Sequence, residues 1–302
     1  MSILALVTAK ASLPNDFDMP LLISACREQK VNVEICLWDD PTVDWSRFSA
    51  VILRSPWDYP DRLSEFLAWC EHLGTVTEMF NPLSAVRWSL DKHYLADLAA
   101  RGVPVVPSRF VEPGSSPIEC LDEFLSQHPE STDLVVKPAI GCYSKGVQRF
   151  ARNQRNATAD HIARLLRQGA VVIQPYLPAI DDHGETNLIY FDGAYSHAIR
   201  KGALLMDDGT VNVPTSDFRA ARDADAAERE IAEAALDAAG LHLHLRRPLL
   251  YARVDLIRGN DGRPQLLELE VAEPSLSLPF AEAGASRFAD ALARLTKTKK
   301  GF

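Results

Sequence analysis

The tetrapeptide Gly259-Asn260-Asp261-Gly262 constrains this chain more than any other feature, because it stands between the apolar runs Leu249–Ile257 and Gln265–Val271. Glycines at both ends of so short a link let the backbone reverse, so the two runs predict an antiparallel hairpin. Asp192-Gly193, between Leu188–Phe191 and Tyr195–Ile199, predicts a second one. The first third of the chain has another texture. Ile3–Thr8, Val33–Leu37 and Val51–Arg54 read as strands, alternating with helical apolar spacing at Pro20–Glu28 and Arg62–Leu73. Strand, helix, strand order predicts a parallel sheet covered by helices. The chain therefore joins an α/β part to an α+β part.

Asn81-Pro82 breaks the pattern, and Ser84–Arg101 then reads as one long helix closed by Gly102. Short strands follow at Leu134–Lys137, Val147–Ala151 and Val171–Gln174, with helices at Ala159–Arg167 and Asp223–Ala239. The partition this suggests is an N-terminal parallel α/β domain (1–88), a central lid domain (89–178) and a C-terminal antiparallel-sheet domain (179–302). In the parallel part, ligands are expected beyond the carboxyl ends of strands. The loops Pro14–Asp18 and Ser55–Tyr59 occupy that position.

Charge and cysteine usage narrow the function classes. The net charge of −9 is not relieved by any basic stretch beyond Lys297, Lys299 and Lys300, so nucleic acid is excluded as a partner. Five scattered cysteines without a Cys-x-x-Cys pair read as free thiols in a reducing, cytoplasmic setting. No apolar run approaches the roughly 18 residues of a membrane span, and Ile3–Val7 reads as a strand rather than a leader. No Gly-x-Gly-x-x-Gly follows that strand, which argues against a dinucleotide oxidoreductase.

The first hairpin carries the most informative residues. Glu268 and Glu270 lie two apart and share a face, and folding brings Asp255 opposite or diagonal to Glu268. Like charges across strands repel, and a cation among them removes the repulsion. Three hard oxygen donors suit Mg²⁺. The same acids would also serve as a solvated strand face paired with Arg253 or Arg263, and hairpin spacing alone does not choose between these.

Lys137 ends the apolar strand Leu134–Pro138, where a buried ammonium requires an anion. The loop Gly141-Cys142-Tyr143-Ser144-Lys145-Gly146 follows, and its backbone N–H groups are placed to cover phosphates. A plain turn would carry the same residues, and the loop lacks the Lys-Ser/Thr of a Walker sequence. Val171–Leu177 runs into Pro175, so Gln174, Tyr176 and Leu177 read either as a purine-binding hinge or as an edge strand and its loop. Glu185 lies where a carboxylate would meet ribose hydroxyls. Lys92, Arg200 and Lys201 read singly as structural charges; Arg253, two residues from Asp255, suits developing negative charge on a phosphoryl group.

The order of these features resembles the ATP-grasp superfamily: helix lysine, Val135-Val136-Lys137-Pro138, glycine loop, Gln174-Pro175-Tyr176-Leu177-Pro178, Ala252-Arg253-Val254-Asp255, then Glu268-Leu269-Glu270. The resemblance implies an ATP-grasp fold, use of ATP and Mg²⁺, Lys92 and Lys137 on phosphates, and Gly141, Tyr143 and Ser144 covering them. It further implies Gln174, Tyr176 and Leu177 at adenine, Glu185 at ribose, Arg253 on transferred phosphate, and Asp255, Glu268 and Glu270 as metal ligands. Glu270 stands where the family often has asparagine. Asp18-Met19-Pro20, Arg54-Ser55-Pro56-Trp57, Gly141–Lys145, Tyr195–Ala198, Lys201–Ala203, Val213–Thr215, Asp217–Arg219 and Glu273–Leu276 resemble the O-ureido-D-serine cyclo-ligase family of D-cycloserine biosynthesis. That implies an amino-acid substrate activated as an acyl phosphate, with ADP and phosphate released. Arg54 and Arg200 are then candidates for holding carboxylate or phosphate, with Lys201 beside them, and Trp57, Tyr143 and Glu273 for shaping the pocket. An ATP-grasp ligase joining an amino acid to an amine, and a nucleotide-binding protein without turnover, are the alternatives; a homodimer is compatible with either.

Overall fold

The computed structural model describes residues 2–206, 209–212 and 218–298. The Val213–Thr215 stretch, Asp217, Lys299 and Lys300 lie outside the described residues.

The chain begins β1 (Ile3–Thr8), α1 (Met19–Glu28), β2 (Asn32–Leu37), β3 (Ala50–Ser55), α2 (Leu63–Val76) and β4 (Met79–Phe80). Their sheet has the order β2-β1-β3-β4, all parallel. β1 and β3 are buried almost throughout, which is why they read as unbroken apolar runs instead of alternating ones. Asp16 starts α1: its Oδ1 accepts the backbone N–H groups of Asp18 (3.1 Å) and Met19 (3.0 Å).

Next come α3 (Leu83–Leu90) and α4 (Tyr94–Ala99), two helices where the sequence predicts one. Asp91 adopts an extended conformation and bridges to Ile140, and Lys92 N–H donates to Ala139 O at 3.0 Å. The apolar spacing passes straight through the break. A strand from elsewhere in the chain imposes it, so Lys92 sits in the interruption and not on a helix.

The central part is β5 (Arg109–Val111), α5 (Pro117–Gln127), β6 (Asp133–Pro138), β7 (Gln148–Ala151), α6 (Arg155–Leu166) and β8 (Val171–Pro175). The antiparallel order is β5-β8-β6-β7, with α5 and α6 closing a small core around Phe124, Phe150 and Ile162.

The remainder is α7 (Ala179–Asp182), β9 (Glu185–Phe191), β10 (Ala194–Lys201), β11 (Arg219–Arg222), α8 (Ala226–His242), β12 (Tyr251–Arg258), β13 (Pro264–Glu270) and α9 (Gly284–Thr298). The antiparallel order is β11-β10-β9-β12-β13. Asp192 and Gly193 both take positive φ (52° and 78°), the twist that a two-residue hairpin turn needs. α8 carries a capping box between Asp225 and Glu228 and covers the β12–β13 face through its alanines. α9 returns to the first sheet, packing Phe288 and Leu292 with Leu4, Leu6 and Leu22.

Candidate functional site

The hairpin register settles the geometry of the acids. Asp255 stands opposite Glu268 and Arg253 opposite Glu270, with a bulge immediately after Asp255. One ligand oxygen from each of Asp255, Glu268 and Glu270 can be chosen so that all lie within 4.8 Å of one another. Arg253 lies among them: Nε and Nη2 donate to the two Asp255 oxygens at 2.8 Å each, and Nη2 also donates to Glu270. Lys137 Nζ donates to Glu268 Oε1 at 2.7 Å, and Lys92 Nζ lies 3.8 Å from the same oxygen.

Burial sets the electrostatics. Loss of solvation pushes the Asp255 and Glu270 carboxyls up despite Arg253. Burial acts on Glu268 in the same direction, yet Lys137 and Lys92 together hold it well below the usual carboxylate range. Lys137 is driven down by its own burial, although Glu268 opposes this. Asp255 and Glu270 are therefore short of positive charge, while Lys137 is short of negative charge. A hard divalent cation suits the three oxygen ligands, and a phosphate chain would meet the lysines. The donor set fits Mg²⁺.

Lys92, Lys137, Arg253, Glu268 and Glu270 face a cavity of about 580 Å³, a volume suited to a small organic ligand. Its wall includes Lys92, Lys137, Gly141, Tyr143, Ser144, Gln174, Tyr176, Leu177, Glu185, Lys201, Arg253, Glu268, Glu270 and Glu273, and Trp57 from the first sheet's loop. A shallower depression over α8, lined by Arg229, Glu230, Glu233 and Asp237, gathers none of the motif residues. Glu185 and Lys201 pair at 3.2 Å on neighbouring strands. At the hinge, Gln174 Nε2 donates to Ser108 Oγ (2.8 Å), and the Tyr176 backbone N–H donates to Asp133 O (3.0 Å). That amide is committed to the sheet edge.

The glycine loop is folded down over the cavity. Tyr143 and Ser144 both occupy the left-handed region (φ 53° and 54°), a strained conformation for residues with a side chain. Tyr143 packs edge-on against Trp57 with centroids 5.1 Å apart, Cys142 Sγ donates to Trp57 O, and Lys145 pairs with Asp61 at 2.5 Å.

Three sequence candidates lie away from the cavity wall. Asp255 sits just behind it, reached through Arg253. Arg54 is buried between the Tyr251 and Phe288 rings and donates to Pro274 O at 3.0 Å, so it braces a backbone and does not offer a free fork. Arg200 donates to His183 O and Asp182 O, both at 2.9 Å, which fixes the turn before Glu185. Its guanidinium is used up locally, and the sequence cannot show that. The wall also contains residues not singled out: Asn15, Phe17, Arg219 and Ser275. Arg219 Nη1 donates to Ser275 Oγ at 3.1 Å, while its buried Nε has no partner among the described residues. Asn15 and Phe17 belong to the first loop beyond β1, where strand ends were expected to present ligand contacts.

This combination of sheets is the fold of the ATP-grasp ligases. The ATP-grasp ligase PsnB, solved with a phosphomimetic variant of its minimal precursor, Mg and ADP, superposes with a TM-score of 0.63 at 18% identity, over 98% of this chain and 99% of that one. The narrower relation is much stronger. The cycloserine biosynthesis protein DcsG of Streptomyces lavendulae is 56% identical over 98% of this chain and its own full length. The crystal structure of D-cycloserine synthetase DcsG superposes with a TM-score of 0.94 at 55% identity, over 97% of this chain and all of that one. Residues 4–81 match the N-terminal domain family of D-cycloserine synthetase DcsG. The chain belongs to the D-cycloserine synthetase DcsG family.

Proposed function

We propose that this chain is an ATP-dependent cyclo-ligase that closes O-ureido-D-serine to D-cycloserine through an acyl phosphate, with release of ADP and phosphate. The observation that carries the reading is the convergence, on one cavity, of Glu268, Glu270, Arg253 and the buried Lys92 and Lys137, with Asp255 just behind the wall, in a chain 56% identical to a cycloserine biosynthesis protein. ATP lies with adenine at Gln174, Tyr176 and Leu177, ribose at Glu185 and phosphates under the Gly141–Gly146 loop. Lys92 and Lys137 hold the phosphates, and both face Glu268, with Lys137 bonded to it. Mg²⁺ on Asp255, Glu268 and Glu270, when bound, neutralises phosphate charge.

The substrate carboxylate attacks the γ-phosphorus and ADP leaves. Arg253 spreads the negative charge on the moving phosphoryl group, its fork held at the right angle by Asp255. The ureido nitrogen next to oxygen then attacks the acyl carbon of the same molecule, loses its proton and expels phosphate. The five-membered closure needs no second substrate to be ordered. One water then releases the carbamoyl group as carbon dioxide and ammonia. The folded-down loop with Tyr143 on Trp57 keeps water from the acyl phosphate beforehand.

The sheets support a three-part division near residues 88 and 178. All five cysteines are free and no helix among the described residues is long and apolar enough to cross a membrane; the free thiols support a cytoplasmic setting. The test is incubation with ATP, Mg²⁺ and O-ureido-D-serine as sole amino acid. D-cycloserine, ADP and phosphate should appear in equal amounts, and chelation should stop the reaction. Formation of AMP, or turnover only after an amine acceptor is added, would overturn the reading.

A further inference from the structure

Among the described residues, four carboxylates line the cavity wall: Glu185, Glu268, Glu270 and Glu273. Three already face a cation. Lys201 pairs with Glu185 at 3.2 Å, Lys137 with Glu268 at 2.7 Å, and Arg253 with Glu270. Glu273 has no ion pair among the described residues; its one hydrogen-bond donor from a side chain is the Tyr59 hydroxyl, itself buried. Lys92 and Arg253 act on Glu273 only from a distance. A carboxylate at 9% exposure without a close cation is costly, unless a ligand supplies the charge.

The backbone around Glu273 is held with unusual completeness. Four consecutive carbonyls each accept a side-chain donor from a different element. Glu273 O accepts from Trp57 Nε1 (2.9 Å), Pro274 O from Arg54 Nη2 (3.0 Å), Ser275 O from Arg253 Nη1 (3.1 Å) and Leu276 O from His197 Nε2 (2.9 Å). Asp18 fastens the same segment from the other side, accepting the N–H groups of Leu276 (2.6 Å) and Leu278 (2.7 Å). Loop segments with no ligand to position rarely need such bracing, whereas a binding group must not drift. The cations on the wall suffice for phosphates and a carboxylate. Among the described residues the wall offers one cation without an ion pair, Arg219, and one anion, Glu273.

We propose that Glu273 is the partner of the substrate's α-ammonium group and so defines the amino-acid subsite. This rests on the proposed function, in which an amino acid presents its carboxylate to the phosphoryl group beside Arg253. With the carboxylate fixed there and the ammonium at Glu273, the third substituent of Cα is confined to one direction. Reversing the configuration would exchange the directions of the ureido arm and the Cα hydrogen and drive the arm into another part of the wall. Glu273 therefore selects both for an amine and for one hand of it.

The test compares O-ureido-D-serine with 3-(ureidooxy)propanoic acid, the same acid with hydrogen in place of the amine, in the full-length protein and in Glu273→Gln. Glutamine keeps the shape and the Tyr59 bond but carries no charge. The unaltered protein should show a KM about 10- to 100-fold lower for the amino acid, the range of a hydrogen bond to a charged group. Glu273→Gln should erase that preference while leaving KM for ATP within about twofold, and Glu273→Asp should restore part of it. A preference undiminished in Glu273→Gln would overturn the assignment, as would a KM for ATP that rises in step. Should Glu273→Gln fail to fold, the unaltered protein decides: equal KM values for the two acids overturn it. Failure of the unaltered protein to turn over O-ureido-D-serine would overturn the proposed function itself.

Discussion

Asn81 joins the first sheet to both ends of the catalytic hairpin, and replacing it tests that junction quantitatively. Its side chain is fully buried. Oδ1 accepts the Leu250 N–H at 2.7 Å, and Nδ2 donates to Tyr251 O at 2.8 Å and Val271 O at 2.7 Å. Three neutral bonds at about 1 kcal/mol each, plus the vacated volume, put Asn81→Ala at about 4 kcal/mol of lost stability. Asn81→Asp is the sharper probe because it conserves volume and keeps the acceptor for Leu250. Protonated, the new acid can still donate to one carbonyl, a loss of about 1 kcal/mol. Ionised, it faces two carbonyl oxygens with no donor, so its folded pKa must rise above the unfolded value near 3.9. The native state then binds more protons than the unfolded state, and stability falls as pH rises through that window. Urea unfolding of both variants and the parent at pH 4 and pH 8 measures this. The Asn81→Asp deficit should grow by at least about 1 kcal/mol between the two, the part of a one-unit pKa rise that remains when the series starts at the unfolded pKa. A deficit below about 1 kcal/mol at pH 8, or one that does not change with pH, would refute the reasoning.

Arg253→Met should lower kcat at least about 100-fold, because it removes the fork that meets developing phosphoryl charge; ADP release measures it, and a loss under tenfold would argue for a structural role. Burial raises the Glu273 carboxyl to about 6, against a lowering hydrogen bond from Tyr59 and the more distant Lys92 and Arg253. Glu270 and the Cys142 thiol are the acidic groups that interact with that carboxyl. Below that pH Glu273 gains a proton and loses its hold on an ammonium, so KM for the amino acid should climb as pH falls through about 6. The climb should vanish in Glu273→Gln; a KM that stays flat in the parent would contradict the subsite.

The sequence made the acids and their spacing legible because the glycines of the hairpin turn pin the register locally, and period-two alternation does the rest. That register, continued from Arg258 opposite Pro264, would set Asp255 opposite Leu267; the bulge after Asp255 moves it opposite Glu268, and the sequence leaves that choice open. It could not reveal the interruption at Lys92, since the helical apolar spacing continues across it and the cause lies about fifty positions away at Ala139 and Ile140. The placement of Arg54 and Arg200 off the cavity wall was hidden for the same reason. A guanidinium at a strand end reads as available until the carbonyls that consume it, at Pro274 and at His183, are seen in space. Arg219 carried no local signal beyond its place in a distinctive stretch. The isolation of Glu273 is likewise a property of its surroundings, set by Tyr59 on a remote loop.

The interruption between α3 and α4 ties two parts of the nucleotide site into one mechanical piece. Lys92 is stitched by its own backbone to Ala139, and its ammonium reaches Gly141 O at 3.3 Å. Any swing of the segment that carries the Gly141–Gly146 cover drags the lysine along. Under the proposed function, grip on the nucleotide's tail and closure above it are thus a single event.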